Sequence, residues 1–455
     1  MIDINFITYV LNLKESNIID LEKSYVDTLD DFQYYHIYLL INSFKCPICN
    51  SMPSGVKDTK TLSPIRHSII GGLPAYIVFH KRRYHCNKCN KLFSERLSIM
   101  NFGRTTSDSL FIEVLESLMD YTVSYEKVAL KYNISPTKVI DIFDKCEDIK
   151  RLKLPEVLCI DEVYAKKLTK KKYCCVLMDP INNKIIDVLN TRKKVYLEPY
   201  FRRISLKERS NTKYVVMDLF EPYKRVIKSC FNDVIIAADS FHVIKQLNDC
   251  FKAVRIRIMK QYSYLKKVDD YNYWILKSFW KVLQSNFDKV NGKFKIRKYG
   301  TIIDKHKLLH DMLLVSDELK DAYELKEEYR EFNLTCNYEN APEEIEYFIE
   351  KFNDSKSPEM RKFGRLLAWK NEIINSFIRI NGMRLSNSRI ERANRNIKTL
   401  MRLSYGIQNF WRSRNRIMYS LNKGTKLTIN FDMKTNKRKG KKRGKYKIKK
   451  ERKSI

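Results

Sequence analysis

Two sets of residues in this 455-residue chain have the types and spacing to do chemistry. The first is Cys46-Pro47-Ile48-Cys49 and Cys86-Asn87-Lys88-Cys89, two C-x-x-C knuckles, each able to present two thiolates to one ion. Together they supply the four soft ligands of a closed tetrahedral Zn²⁺ site. A dithiol redox role does not suit them, because there are two copies and no βαβ pattern around either. His80 and His85 lie close enough to replace one cysteine, but four cysteines are the simpler set. The 50–85 segment between the knuckles exceeds the usual ribbon spacing, so it must hold structure of its own, a strand pair around Ala75–Tyr84. Structural zinc contributes on the order of 10 kcal/mol to a module of this size, enough to decide whether it folds.

The second set is acidic. Asp161, Asp218 and Asp239 each follow an apolar run that reads as a strand: Val157–Ile160, Lys213–Met217 and Val234–Ala238. Acids that end neighbouring strands converge, and converging carboxylates repel unless a cation lies among them. Two Mg²⁺ (or Mn²⁺) ions about 3.5–4 Å apart remove that cost and make a phosphoryl-transfer site. A further carboxylate is expected on a helix laid across the sheet, and Glu391 is the candidate. Asn387, Glu391, Asn394 and Lys398 are spaced 4, 3, 4 and share one helical face, with Ile390, Ala393 and Ile397 on the opposite, buried stripe. Arg395, Lys398 and Arg402 of that helix are placed to face phosphates. The same spacing also suits an ordinary amphipathic helix. Glu162, beside Asp161, alternates to the other side of its strand and reads as a bystander.

These residues need a scaffold. Strands over 157–160, 173–178 and 184–189, a helix over 195–207, a strand over 213–217, a short helix near Pro222 and a strand over 234–238 follow the order of the ribonuclease-H-like fold. Upstream, Ser107–Tyr121 has helical apolar spacing. Ser124 can cap a short helix with Val128, Ala129 and Tyr132 inward; Asn133-Ile134 turns the chain. Ser135 then caps a second helix with Pro136 at its first position. Val139, Ile140 and Phe143 pack that helix and leave Thr137, Lys138 and Asp141 outward, which is helix-turn-helix grammar with a major-groove reader. Between His242 and Arg384 the chain is helical, aromatic and basic, too long for one helix of the core, so it reads as an insertion. Tyr271, Trp274 and Trp280 could stack on an unpaired base there, although core packing is the plainer use of such spacing.

Charge and composition bound the partners. There are 87 Lys plus Arg against 53 Asp plus Glu, a net +34. Residues 434–453 hold 13 of the basic residues and one Glu, +12, which leaves +22 for the rest. Such an excess calls for a polyanion, and nucleic acid is the usual one. Lys81, Arg82 and Arg83 make the cysteine module basic as well. With 44% hydrophobic and 12% aromatic residues the chain can bury real cores. It has no apolar run of about 18 residues and no basic, cleavable start. Cys159, Cys174, Cys175, Cys230 and Cys250 sit singly in apolar runs, as small buried residues do in a reducing compartment. A soluble cytoplasmic protein is the expectation.

The order of knuckles, paired helices, VLCIDEVYAKK, VVMDLFEPY, AADSFHVIKQLN and NSRIERANRNIKTLMRLSYGIQNFWRSRNRIMY resembles the ISL-three family of bacterial insertion-sequence transposases, over roughly residues 44–420. The resemblance implies a ribonuclease-H-like core with an Asp-Asp-Glu triad. It also implies cutting and joining of DNA at terminal inverted repeats, on nucleoid DNA. By motif, Asp161 is the first acid and Glu391 the third. Asp218 is the favoured second acid and Asp239 the rival; an Asp-x-x-His pair after the second acid, as in related transposases, matches Asp239 and His242. The chain departs from the pattern where Phe241 follows Ser240 in place of an expected arginine, and in the acidic run Asn337–Glu350.

The expected architecture is multidomain α+β. It runs as an N-terminal helical segment (1–43), a zinc module (44–100), a helix-turn-helix domain (104–150) and a first part of the catalytic core (154–242). A helical insertion (243–384), the second, Glu-bearing part of the core (385–425) and a basic disordered tail (430–455) complete it. Double-stranded DNA, as terminal repeats and target, is the expected partner, with at least a homodimer on it. A DNA-binding regulator with an inactive core is the competing class.

Overall fold

The computed structural model describes residues 11, 19–20, 22–40, 45–53, 55–95, 105–146, 149–166, 172–263, 271–285, 287, 290–296, 301–404, 409–425 and 427. The chain divides into two compact units, residues 1–150 with 399–455 and residues 151–398. The tail expected over 430–455 lies outside the described residues.

The first unit holds a six-stranded sheet built around one long strand. Strands β1 (Tyr25–Leu29), β2 (Phe32–Ile37), β3 (Val56–Thr61), β4 (Ile65–Ile70) and β6 (Lys91–Ser94) accompany the 14-residue β5 (Leu73–Cys86). β5 pairs in parallel with β2 and antiparallel with β3, β4 and β6. Within the segment expected to be helical, 1–43, residues 25–37 form a hairpin instead, while 1–10, 12–18, 21 and 41–43 lie outside the described residues. Tyr35 and Ile37 point into a core with Ile65, Ala75, Ile77 and Phe79, while Tyr34 and His36 alternate outward. Asp30 and Asp31 close the turn in the left-handed region (φ 50° and 61°), which Asp tolerates better than most residues. Aromatic residues at a period of two, followed by such a pair, are strand grammar that outweighs a helical reading.

Three helices follow in the same unit: α1 (Asp108–Ser117), α2 (Tyr125–Tyr132) and α3 (Pro136–Asp144). Ser124 Oγ accepts from Lys127 N and Ser135 Oγ from Lys138 N, so both predicted caps are present. Asn133 turns the chain at φ 49°. Val128, Ala129 and Tyr132 are buried, as are Val139 and Phe143; Ile142 takes the inward place expected of Ile140, which is half-buried. The C-terminal helix Phe410–Leu421 packs onto this group: Tyr419 joins its core and donates to Leu115 O at 3.1 Å. The buried Arg416 donates to the carbonyls of Asp120 and Val123, both at 3.0 Å. The sequence division kept 385–425 in one piece; tertiary contacts instead group residues 399–455 with the N-terminal unit.

The second unit is built on a five-stranded sheet in the order β11-β10-β7-β8-β9. Its strands are β7 (Val157–Tyr164), β8 (Tyr173–Asp179), β9 (Lys184–Leu189), β10 (Tyr214–Met217) and β11 (Ile235–Ala238). β7, β10 and β11 are parallel, and β8 and β9 extend the sheet antiparallel. Their near-continuous apolar sequences are what a sheet covered on both faces requires. The helix expected over 195–207 is α4 (Lys194–Arg202), followed by a single turn, Leu206–Arg209, that Ser205 caps. Helix α5 (Glu221–Cys230) joins β10 to β11. Helix α6 (Ser240–Ser263) leads from β11 into the insertion, whose core gathers Tyr329, Phe332, Phe348, Phe352 and Phe363. Trp274 and Phe279 pack against that core, with ring centroids 5.2 Å apart. The insertion is not wholly helical, since Lys293–Ile296 and Thr301–Asp304 pair as a hairpin. Helix α7 (Ser388–Leu403) carries Glu391. No described helix is long and apolar enough to cross a membrane.

Candidate active site and cysteine centre

Strand register alone lines up three acids. Ile160 pairs with Met217 and Met217 with Ala238, in parallel ladders. The next residues, Asp161, Asp218 and Asp239, therefore stand at one level, where β10 and β11 end and β7 runs on beside β8 to Tyr164. Adjacent strands are about 4.8 Å apart. β10 lies between β7 and β11, so Asp218 is the middle of the row. The carboxyl edge of parallel strands is where open α/β sheets place ligands.

Helix α7 crosses this row and is tied to it. The buried Asn394 donates from Nδ2 to Asp161 Oδ2 at 2.7 Å. The backbone N–H of Asn387 donates to Asp239 Oδ1 at 3.0 Å, and its Nδ2 reaches Ile160 O at 3.4 Å. Glu391 lies between these two ties on the same helical face, half-buried. Ile390, Ala393 and Ile397 are buried on the other stripe, as their spacing predicts. The sequence placed both asparagines on Glu391's face but gave no signal of what they hold; their partners are 233 and 148 residues away.

The electrostatics follow from crowding. Burial, and then the Asp218 carboxylate, push Asp161 up to about 7. Glu391 is raised above the ordinary carboxylate range by burial first and then by Asp239 and Asp218, with His242 and Arg395 opposing. His242 is the internal counter-charge. Its Nδ1 lies 2.7 Å from Asp218 Oδ1 and 3.0 Å from Asp239 Oδ2. Burial disfavours its charged form, but the two carboxylates outweigh that and raise it to about 10. The Nδ1 proton stands within reach of both acceptors, donating to Asp239 Oδ2 and making its shorter contact with the buried Asp218 Oδ1. The two aspartates differ in access. Asp239's side chain is 1% exposed and bonded on both oxygens, whereas Asp218's is 25% exposed.

Glu162 points away from the row and pairs with Arg192, and Tyr223 Oη donates to it at 3.3 Å. Arg192 in turn lies over the Tyr173 and Phe220 rings, 4.2 and 5.2 Å from their centroids. Neither Arg192 nor Tyr223 stands out in the sequence, because their shared partner is set by the sheet.

The four knuckle cysteines come together in the first unit, with all ligand atoms within 4.8 Å of one another. Cys46 and Cys89 sulfurs are 3.5 Å apart, and Cys49 and Cys86 sulfurs 3.4 Å. Sulfurs 2.3 Å from a tetrahedral ion would be about 3.8 Å apart, so the set fits Zn²⁺. Each knuckle ends on a left-handed asparagine, Asn50 (φ 56°) and Asn90 (φ 55°). The histidines stay out of it: His80 faces His36 and Thr61, and His85 faces Asn87 and Asn90.

Of the residues expected to meet DNA, Thr137 is exposed and Lys138 half-buried, its Nζ reaching Thr105 Oγ1 at 3.1 Å. Arg395, Lys398 and Arg402 lie on the exposed side of α7. Arg83 pairs with Asp58. Arg82 is turned inward, bound to Glu95 and to the carbonyls of Leu39 and Leu40, because Glu95 is fully buried and needs a cation.

A family model described as a transposase, of the ISL3 type, matches residues 158–417, more than half of the chain. A second, described as the zinc-finger of transposase IS204/IS1001/IS1096/IS1165, matches residues 42–89. A search of the curated proteins finds no match.

Proposed function

This chain belongs to the ISL3 family of transposases, and from that premise we propose that it cuts DNA at terminal inverted repeats and joins the freed ends to target DNA. The observation that carries the reading is the acid row, just beyond the ends of β10 and β11 and level with Asp161 in β7, with the Glu391 helix tied across it. The strand order β11-β10-β7-β8-β9, parallel on one side and antiparallel on the other, supports a ribonuclease-H-like core.

The donor set suits Mg²⁺ or Mn²⁺. It consists of oxygens, the ligands of hard cations. Two buried amide oxygens beside it, Asn387 Oδ1 and Asn394 Oδ1, lack hydrogen-bond donors. Asp161, Asp218 and Glu391 would hold the ions, which when bound activate the attacking oxygen and steady the leaving one. Asp218 is preferred to Asp239 on access, its side chain being 25% exposed against 1% for Asp239. Asp239 and His242 act as a positioning pair: Asp239 orients the imidazole, and the imidazole, 2.7 Å from Asp218 Oδ1, holds Asp218 in place.

Water attacks the phosphodiester at the element's end and expels the 3′-oxygen as a free hydroxyl; that hydroxyl then attacks a target phosphodiester in line and displaces a target 3′-oxygen in its turn. Arg395, Lys398 and Arg402 would lie along the phosphates. The zinc module and the paired helices α2 and α3, read as a helix-turn-helix, supply the end recognition that a phosphate-directed core lacks. Bringing two ends together needs at least two copies on DNA, acting in a bacterial cytoplasm. The test incubates purified protein with end-bearing and target DNA in Mg²⁺ and in EDTA. Donor ends linked to target in Mg²⁺ alone bear out the proposal. Cut but unjoined DNA means a nuclease, and binding without cleavage means a regulator.

A further inference from the structure

The helix that carries Glu391 is fastened to the sheet at two points that bracket this residue. Asn387 lies four residues before it and Asn394 three after, both buried, at 0% and 5% exposure. Asn394 faces a specific atom. Its Nδ2 donates to Asp161 Oδ2 at 2.7 Å, while the Glu162 N–H donates to Asp161 Oδ1 at 2.6 Å. Both oxygens of this carboxylate are thus held by neutral donors.

We infer that Asn394 is a positioning residue. Its amide sets the rotation of the Asp161 carboxylate and, through the same bond, the depth at which α7 presents Glu391. The inference rests on the reading of Asp161 as a metal-holding acid. The two acids it couples, one on a central strand and one on a helix 230 residues later, then take up their working arrangement before any ion or DNA arrives.

The residue type argues for this role. A lysine or arginine at 394 would also bond Asp161, but it would cancel the charge that a divalent ion needs. A neutral amide aims the carboxylate and leaves its charge in place. The amide orientation is fixed as well, since turning it over would bring Oδ1 against the carboxylate. The consequence is visible: Asn394 Oδ1 is buried without a donor. Fold stability alone does not favour such an atom, and an apolar residue would avoid it. The asparagine has a use beyond packing.

Two variants test it. Asn394→Leu keeps the shape and removes the donor; Asn394→Gln keeps the amide on a longer arm. Three measurements are taken: Mn²⁺ binding to the DNA-free protein by calorimetry, strand cleavage in Mg²⁺, and amide exchange over residues 391–398 in metal-free protein. For Asn394→Leu, Mn²⁺ affinity and cleavage fall 10- to 100-fold, the range typical when a ligand's supporting partner is lost. Exchange over 391–398 rises while exchange in β7, β10 and β11 holds, and Asn394→Gln recovers part of the affinity. A purely structural role would move the exchange and leave the metal affinity alone. Wild-type Mn²⁺ affinity and rate in a folded Asn394→Leu overturn the inference. If that variant does not fold, wild-type values in Asn394→Gln overturn it as well, because the longer arm cannot keep the same bond. Full cleavage by Asp161→Asn would instead sink the underlying assignment of the triad.

Discussion

The cysteine centre and the acid row meet the same physical difficulty, several like-charged ligands in a small space, and meet it in opposite ways. The cysteines come from two short knuckles at the ends of strand-rich segments, and the set is closed: four soft ligands for one ion with no place for a substrate. The acids come from three strands and a helix spread over 230 residues. They are held apart by neutral amides and one histidine, and the set keeps an exposed flank at Asp218. A closed set serves folding. An open set retains unmet charge, and that unmet charge is what chemistry uses.

The contrast can be broken at several points. Replacing Cys86 and Cys89 with serine, or stripping zinc with a chelator, should unfold the module around β5 and abolish binding to DNA ends. Circular dichroism, zinc content and end-binding titration check this, and a module that stays folded without zinc would erase the difference. At the acid row the opposite is expected. Asp161→Asn and Glu391→Gln should leave the fold and end binding intact and lower cleavage on the order of 10³-fold or more, the several kcal/mol that metal-held charge supplies.

A finer cut separates the two rival aspartates. Asp218→Asn should match Asp161→Asn in lost cleavage. Asp239→Asn should keep measurable activity and lower the melting temperature, since Asp239 anchors Asn387 and His242. Equal losses in both would remove the distinction.

Acidity gives a smaller effect. Asp161 is raised to about 7, so in the folded state it binds a proton that the unfolded chain has already released. The metal-free protein should therefore lose stability as pH rises from about 4 to about 7. His242 is raised to about 10, so its contribution is fully present below about 6.5 and is lost as pH rises toward 10. Thermal melts across this range, repeated with Asp161→Asn and His242→Gln, should lose the first and the second slope in turn. Added Mn²⁺ should flatten the first. The smallest change belongs to the first unit. Ser135→Ala removes the acceptor for Lys138 N and should cost about 1 kcal/mol by denaturant titration, with cysteine and acid centres untouched.

Legibility in the sequence follows the same divide. The knuckles were readable because both ligands of each pair sit within four residues. The caps of α2 and α3 were readable because Ser124 and Ser135 serve donors three residues on. Strands β7 to β11 were readable from apolar runs ended by turn residues, and β9 matches its expected bounds. The first strands are less legible, because Tyr25–Leu29 is exposed throughout and Phe32–Ile37 finds its partner in β5 about 40 residues on. The inward turn of Arg82 was invisible, since its partner Glu95 lies across a strand pairing. The place of Phe410–Leu421 escaped for the same reason: Tyr419 finds Leu115 some 304 residues earlier in the chain.

Composition, knuckle spacing and strand order by themselves pointed to a four-cysteine set fit for zinc, a basic excess suited to a polyanion and acids following apolar strand runs, because each of those is a local or additive property. Only the tertiary structure decided which acids share a level, which of them stays exposed, and that two asparagines hold the Glu391 helix in place. Those depend on the register of parallel strands and on one helix crossing them, and a linear pattern has no term for either.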